Sequence, residues 1–216
     1  MTAKTGGRVV HIPSGDVRME GMLETPPNAS GMVLFAHGSG SSRLSPRNNF
    51  VAAELRKAGL GTLLMDLLTR EEDRDYETRF AITLLAERLA DAVRWLREEP
   101  SVGLLPIGLF GASTGAAAAL QIAASLPEEI GAVVSRGGRP DLAGGQALAK
   151  VRAPTLLIVG GADYGVIELN EAAYAELTCA KELVVVPHAT HLFEEPGTLE
   201  EVARLAAAWF VRHLRR

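Results

Sequence analysis

Five residues, Gly111-Ala112-Ser113-Thr114-Gly115, have the G-x-S-x-G spacing that presents a serine hydroxyl for attack on a carbonyl. They follow the apolar run Ile107–Phe110 and precede an alanine-rich stretch, so the order is strand, sharp turn, helix. A serine in such a turn is held in a strained backbone conformation that lifts its hydroxyl above the sheet. The residues two before and two after must then be small, so that strand and helix can approach closely. The helix N-terminus also turns its positive dipole end toward a developing oxyanion. The alternative role for Ser113 is a helix cap in a glycine-rich turn. A phosphate cradle here is weaker still, because neither G-x-G-x-x-G nor G-x-x-x-x-G-K-[ST] is present.

A serine hydroxyl needs a base to take its proton, and histidine serves best near neutral pH. Of five candidates, His11 falls in the first strand and His213 in the last helix, which leaves His37, His188 and His191. The segment Pro187-His188-Ala189-Thr190-His191-Leu192-Phe193 follows the last strand and should return to the serine. His191 sits deeper in that loop, with Leu192 and Phe193 to anchor it, and is the expected base. His188, next to Pro187, is the alternative. The two are not in an H-E-x-x-H helix, so no metal is expected.

The orienting acid should lie between nucleophile and base in chain order. Gly160-Gly161-Ala162-Asp163 follows the strand Thr155–Val159 directly, and its glycines let a carboxylate turn inward. Asp163 is therefore expected to fix the tautomer of His191. Its alternative role is a turn aspartate or helix cap. Asp141 is the rival acid and is expected to cap the short helix after it. His37-Gly38-Ser39-Gly40 follows another strand, where one backbone N–H can meet the oxyanion. The expected donors are the amides of Ser39 and Thr114. His37 reads as a hydrogen-bonding residue of that turn.

These residues need a scaffold that brings strand ends together. Val9–Pro13 and Val17–Thr25 alternate as an antiparallel pair around Ser14-Gly15-Asp16. From Met32 onward, fully apolar runs alternate with segments of helical period. The runs are Met32–Ala36, Gly61–Met65, Ile107–Phe110, Ala132–Ser135, Thr155–Val159 and Leu183–Val186, which suit parallel strands covered on both faces. The expected helices are Arg47–Ala58, Thr78–Glu98, Thr114–Leu126, Leu169–Leu177 and Leu199–Leu214. The pattern is an α/β chain with a mostly parallel, doubly wound sheet. Ligands of such sheets bind beyond the carboxyl ends of the strands, where every candidate above is found.

The chain has 216 residues, enough for one sizeable core, and it reads as one domain over 1–216. Its net charge of −4, with no stripe of Lys or Arg, disfavours nucleic acid as a partner. Cys179 is the only cysteine, so an intrachain disulfide is excluded. The start, Met1–Arg8, lacks the apolar stretch of a signal peptide, and neither Val102–Ala112 nor Thr155–Gly161 is long enough to span a membrane. A cytoplasmic protein without a membrane partner is expected.

The segments His37–Gly40, Gly111–Gly115, Gly160–Asp163 and Ala189–Glu195 resemble the α/β-hydrolase superfamily, and within it the dienelactone hydrolase-like group. Ser135–Ala143 and Val166–Asn170 also look like members of that group, and the likeness covers nearly the whole chain from about residue 8. The resemblance implies a central sheet of eight strands with the second antiparallel to the rest, and no cofactor. Dienelactone hydrolases proper carry cysteine at the elbow, where this chain has Ser113, so general ester chemistry fits better than dienelactone. Cys179, before the last strand, reads as packing.

The segment between Ser135 and Thr155 is too short for a cap domain, so the pocket should be shallow and favour small or short-chain acyl substrates. Arg136 and Arg139 are either surface arginines or residues of the pocket rim that could attract a carboxylate. Asp66–Tyr76, dense in charge, reads as a mobile loop that can edge the site. The expected activity is that of a serine carboxylesterase. A thioesterase, lactonase or amidase with the same triad, or a binding protein on the same fold, are the alternatives. Oligomeric state is not legible.

Overall fold

Alternation in the first strands and its absence in the later ones set the layers of the molecule. The computed structural model describes residues 7–214; residues 1–6, most of the stretch read for a leader, lie outside the described residues. Strands β1 (Arg8–Ser14) and β2 (Val17–Glu24) pair antiparallel, with Val10, Ile12, Met19 and Leu23 turned to the core. The apolar runs form β3 (Met32–Ala36), β4 (Gly61–Met65), β5 (Ile107–Ala112), β6 (Ile130–Arg136), β7 (Thr155–Gly160) and β8 (Lys181–Val186). The eight strands lie in the order β1-β2-β4-β3-β5-β6-β7-β8. Among the described strands only β2 runs against the others. This is the α/β-hydrolase fold.

Among the described residues six helices cover the sheet: α1 (Pro46–Lys57), α2 (Ile82–Glu98), α3 (Thr114–Ser125), α4 (Gly145–Leu148), α5 (Tyr164–Glu176) and α6 (Thr198–His213). Two apolar layers result. On one face Leu85, Leu89 and Val93 of α2 and Ala117–Leu120 of α3 pack against Leu34, Leu109 and Val133. On the other, Val51 and Leu55 of α1 and Trp209 and Phe210 of α6 meet Phe35, Phe110 and Val134. Among the described residues no helix is long and apolar enough to cross a membrane.

Several expectations are corrected. The helix expected from Thr78 begins at Ile82, because Ala81 (φ −73°, ψ 72°) breaks it from a 3₁₀ turn at Thr78–Phe80. The helix expected from Leu169 begins at Tyr164; Gly165 in its first turn, a weak helix former, masks that start in the sequence. Strand β8 begins at Lys181 and is half-exposed, as the outer strand of the sheet. The charged segment Asp66–Tyr76 is pinned by ion pairs: Arg43 bridges Asp66 and Glu20, Arg88 holds Glu72 at 2.8 Å and Arg79 holds Asp73 at 3.2 Å. The crossover from β6 to β7 carries only a 3₁₀ turn at Pro140–Ala143 and the single-turn α4, with no cap.

Leu89 of α2 is fully buried against this core. Leu89→Ala should cost about 2–5 kcal/mol, the usual range for an uncollapsed core cavity, read as a lowered urea midpoint at unchanged slope. A loss below about 1 kcal/mol would mean that α2 packs less tightly than described.

Candidate active site

The elbow shows why its sequence is so restricted. Ser113, between β5 and α3, has φ 49° and ψ −122°, a backbone state that L-residues rarely adopt. Small neighbours make that state possible. A Cβ on Gly115 would stand 2.2 Å from the Ala36 carbonyl oxygen, and one on Gly111 would stand 2.4 Å from Ala116 Cα. Gly38 also presses on Ser113 itself, where an added Cβ would be 2.9 Å from the serine Cβ. Two backbone hydrogen bonds fix the turn to β6 and to the loop that follows it. Ser113 N–H donates to the Arg136 carbonyl at 3.3 Å, and Arg139 N–H donates to the Ser113 carbonyl at 3.1 Å.

His191 and Asp163 are brought together by the loops after β8 and β7. Their side chains are joined by a 2.7 Å hydrogen bond in which Nδ1–H donates to Oδ2. The loops touch along their backbones: Ala162 N–H donates to the Ala189 carbonyl at 2.9 Å, and a Cβ on Gly160 would lie 2.3 Å from that same oxygen. Asp163 stands at the N-cap of α5 but makes no capping hydrogen bond with its side chain. The cap role is thereby set aside, since the carboxylate serves the imidazole. His191 reaches back over β6, with its Nδ1 3.6 Å from where a Cβ of Gly137 would be. Glu195 clamps the loop, accepting from Thr190 N–H at 3.0 Å and Thr190 Oγ1 at 2.7 Å. His188 is exposed, at φ 63°, and stands outside this arrangement. Ser113 Oγ and His191 are not hydrogen-bonded to each other here. Such bonds are often loose in the free enzyme and tighten with substrate.

The loop after β3 contributes an arrangement that spacing did not foretell. Ser39 N–H donates to Thr114 Oγ1 at 3.0 Å, so one expected oxyanion donor is engaged by the side chain of the residue bearing the other. Thr114 is fully buried, which a motif position written as x gives no reason to expect. His37 is the turn residue it was read to be. Its Nδ1–H donates to the Gly38 carbonyl at 2.9 Å, and its Nε2 accepts from Leu67 N–H at 2.9 Å. Both bonds require the neutral ring, and burial holds its pKa below the ordinary 6.5.

Two side chains beyond the elbow are not where the sequence suggested. Asp141 does not cap α4; its carboxylate takes both Arg139 Nε at 2.9 Å and Nη2 at 2.8 Å. Arg136 is not a surface residue. It ends β6 with 7% of its surface exposed, and its pKa falls to about 10 through burial and then through the nearby Arg47. Cys179 is half-buried, with Sγ 3.7 Å from Thr155 Oγ1, a packing position. Among the described residues no cluster of His, Cys, Asp and Glu has the makings of a metal site.

Comparison with known proteins agrees with this architecture. A family model described as the dienelactone hydrolase family matches residues 19–212. A crystal structure of a dienelactone hydrolase from Anabaena variabilis is 55% identical, with TM-score 0.95 over 99% of this chain and 100% of that one. Est1E from Butyrivibrio proteoclasticus shares the fold at TM-score 0.81 and 16% identity, over 96% of this chain and 98% of that one. Curated relatives from two strains of Mycobacterium tuberculosis, provisionally named as phosphoribosyl transferases, are 57% identical over 205 residues. That match takes in 95% of this chain but 46% of each relative, so the chain spans about half their length.

The buried neutral His37 has a thermodynamic consequence. Below pH 6.5 the unfolded chain takes up a proton at His37 that the folded chain refuses, so this residue's contribution to stability shrinks as pH falls. The slope from one such group is at most about 1.4 kcal/mol per pH unit. Urea midpoints between pH 7.5 and 5 should therefore fall less steeply in His37→Gln than in the parent. Equal slopes would reject the buried neutral ring.

Proposed function

Because the chain belongs to the dienelactone hydrolase family, we propose that it is a serine hydrolase that cleaves carboxylic esters of small or short-chain acids through an acyl-enzyme. The observation that carries this reading is the 2.7 Å bond from His191 to Asp163 at the sheet edge where the elbow raises Ser113. With Nδ1–H committed to Asp163, the lone pair of Nε2 is left to act as base. As Ser113 Oγ bonds to the ester carbon, its proton passes to Nε2, and the carbonyl oxygen becomes an oxyanion. Collapse of this intermediate breaks the bond to the alcohol, which leaves with the proton from Nε2. Water then repeats the sequence on the acyl-serine and releases the acid.

The amides of Ser39 and Thr114 are the oxyanion donors in this proposal. The acyl oxygen takes over the Ser39 N–H that Thr114 Oγ1 accepts in the free protein. One such donor is worth about 3–4 kcal/mol of barrier. The short β6–β7 crossover supports small substrates, because nothing in it builds a deep acyl tunnel. We infer that the transferase name of the longer relatives describes the half of those proteins that this chain does not match, since residues 19–212 account for a hydrolase fold by themselves. Thioesters, lactones and amides are open to the same triad; rates on matched ester, thioester and amide substrates separate them.

Ser113→Ala should abolish covalent labelling by a fluorophosphonate probe and leave the circular dichroism spectrum unchanged; persistent labelling would assign the nucleophile elsewhere. His191→Gln should lower kcat on a short-chain aryl ester by about 10²–10⁴-fold, the usual worth of a positioned general base. An unchanged kcat in that variant would remove His191 from the role of base.

A further inference from the structure

The guanidinium of Arg136 is enclosed by protein, yet its Nε and Nη1 have no hydrogen-bond partner among the described residues. Its side chain leaves β6 on the same face as Val134, and in register with Ala112 and Ile158, so it lies on the α1/α6 side at the catalytic edge. Its own carbonyl accepts the amide of Ser113. Arg47, in the first turn of α1, is near enough to Arg136 for the two charges to repel. Its Nε is also enclosed without a partner, and its Nη1 is 3.2 Å from Glu194, an exposed carboxylate. The first turn of α1 contains no acidic residue, so its dipole adds positive charge to the two arginines.

A buried cation without a counter-ion is among the most costly arrangements in a protein interior, and two cations sharing a region raise the cost. The cost is offset when an anion binds. A carboxylate would neutralise one guanidinium. A phosphate group, with a charge near −2 and several acceptor oxygens, matches two guanidinium heads together with a helix N-terminus. We propose that Arg136 and Arg47 form a phosphate-binding subsite beside Ser113, and that the esters this hydrolase takes carry a phosphate group. The subsite rests on arginine heads, not on a glycine-rich loop, and so differs from the cradles that the sequence lacks. The substrate half of the proposal depends on the hydrolase reading above.

The test uses the full chain and three aryl esters of equal chain length, whose acyl groups end in methyl, carboxylate or a non-hydrolysable phosphonate. The phosphonate ester should show kcat/KM at least about tenfold above the methyl ester and above the carboxylate ester, as expected of charge-assisted bonds in a desolvated site. Inorganic phosphate should inhibit competitively and bind measurably by calorimetry. R136M should bring the phosphonate-to-methyl ratio to near one and abolish phosphate binding. R47M should weaken both, and it serves as the second variant if R136M does not fold. Equal rates on all three esters, with inorganic phosphate still bound through Arg136, would overturn the substrate assignment and leave a site for free phosphate. Equal rates with no phosphate binding would overturn the subsite and keep the hydrolase. Hydrolysis of none would overturn the hydrolase reading itself.

Discussion

One residue's backbone governs the rest of the molecule: Ser113 must hold a left-handed turn between a buried strand and a buried helix. That state costs on the order of 1–3 kcal/mol, so the surroundings have to over-determine it. They do so through contacts that no larger residue could make, with Gly111 against α3, Gly115 against the Ala36 carbonyl, and Gly38 against the serine. The alanines that follow are buried almost without exception, so α3 lies flat on the sheet and cannot rotate to relieve the turn. The central strands have little freedom as a result. β3 and β5 must be adjacent and in register, because the loop after one supplies the wall of the turn after the other.

The same close approach recurs at the far strands. Gly160 lets the loop after β7 touch the loop after β8, which makes the Asp163–His191 bond a consequence of backbone contact and not of chance side-chain reach. Glu195 and the buried Phe193 then fix the histidine loop from beneath. On the opposite flank, Arg43 ties the loop after β3 to both β2 and the end of β4. The candidate site is thus assembled from loops that are each anchored twice, once by their strand and once by a neighbour.

Much of this was legible in the residues because it depends on local rules. Steric limits at an elbow force small residues at fixed offsets, and a parallel strand covered on both faces must be apolar throughout, so both leave plain marks. The loop after β3 was legible only in part: the order of motifs points to Ser39 and Thr114, but not to the hydrogen bond between them, since Thr114 is buried by tertiary packing that no spacing encodes. Arg136 misleads for a related reason. Arginine at a strand end ordinarily reaches water, and only the folded chain reveals that this one is enclosed. Asp141 looks like a cap until Arg139, two residues earlier, claims both of its oxygens. The start of α5 went unseen because Gly165, a weak helix former, stands in its first turn.

The plain crossover between β6 and β7 also bears on how fast the protein can work. With one short helix and one 3₁₀ turn there, that crossover holds no element long enough to fold over Ser113. On the proposed hydrolase reading, this segment then supplies no flap whose movement sets the turnover rate.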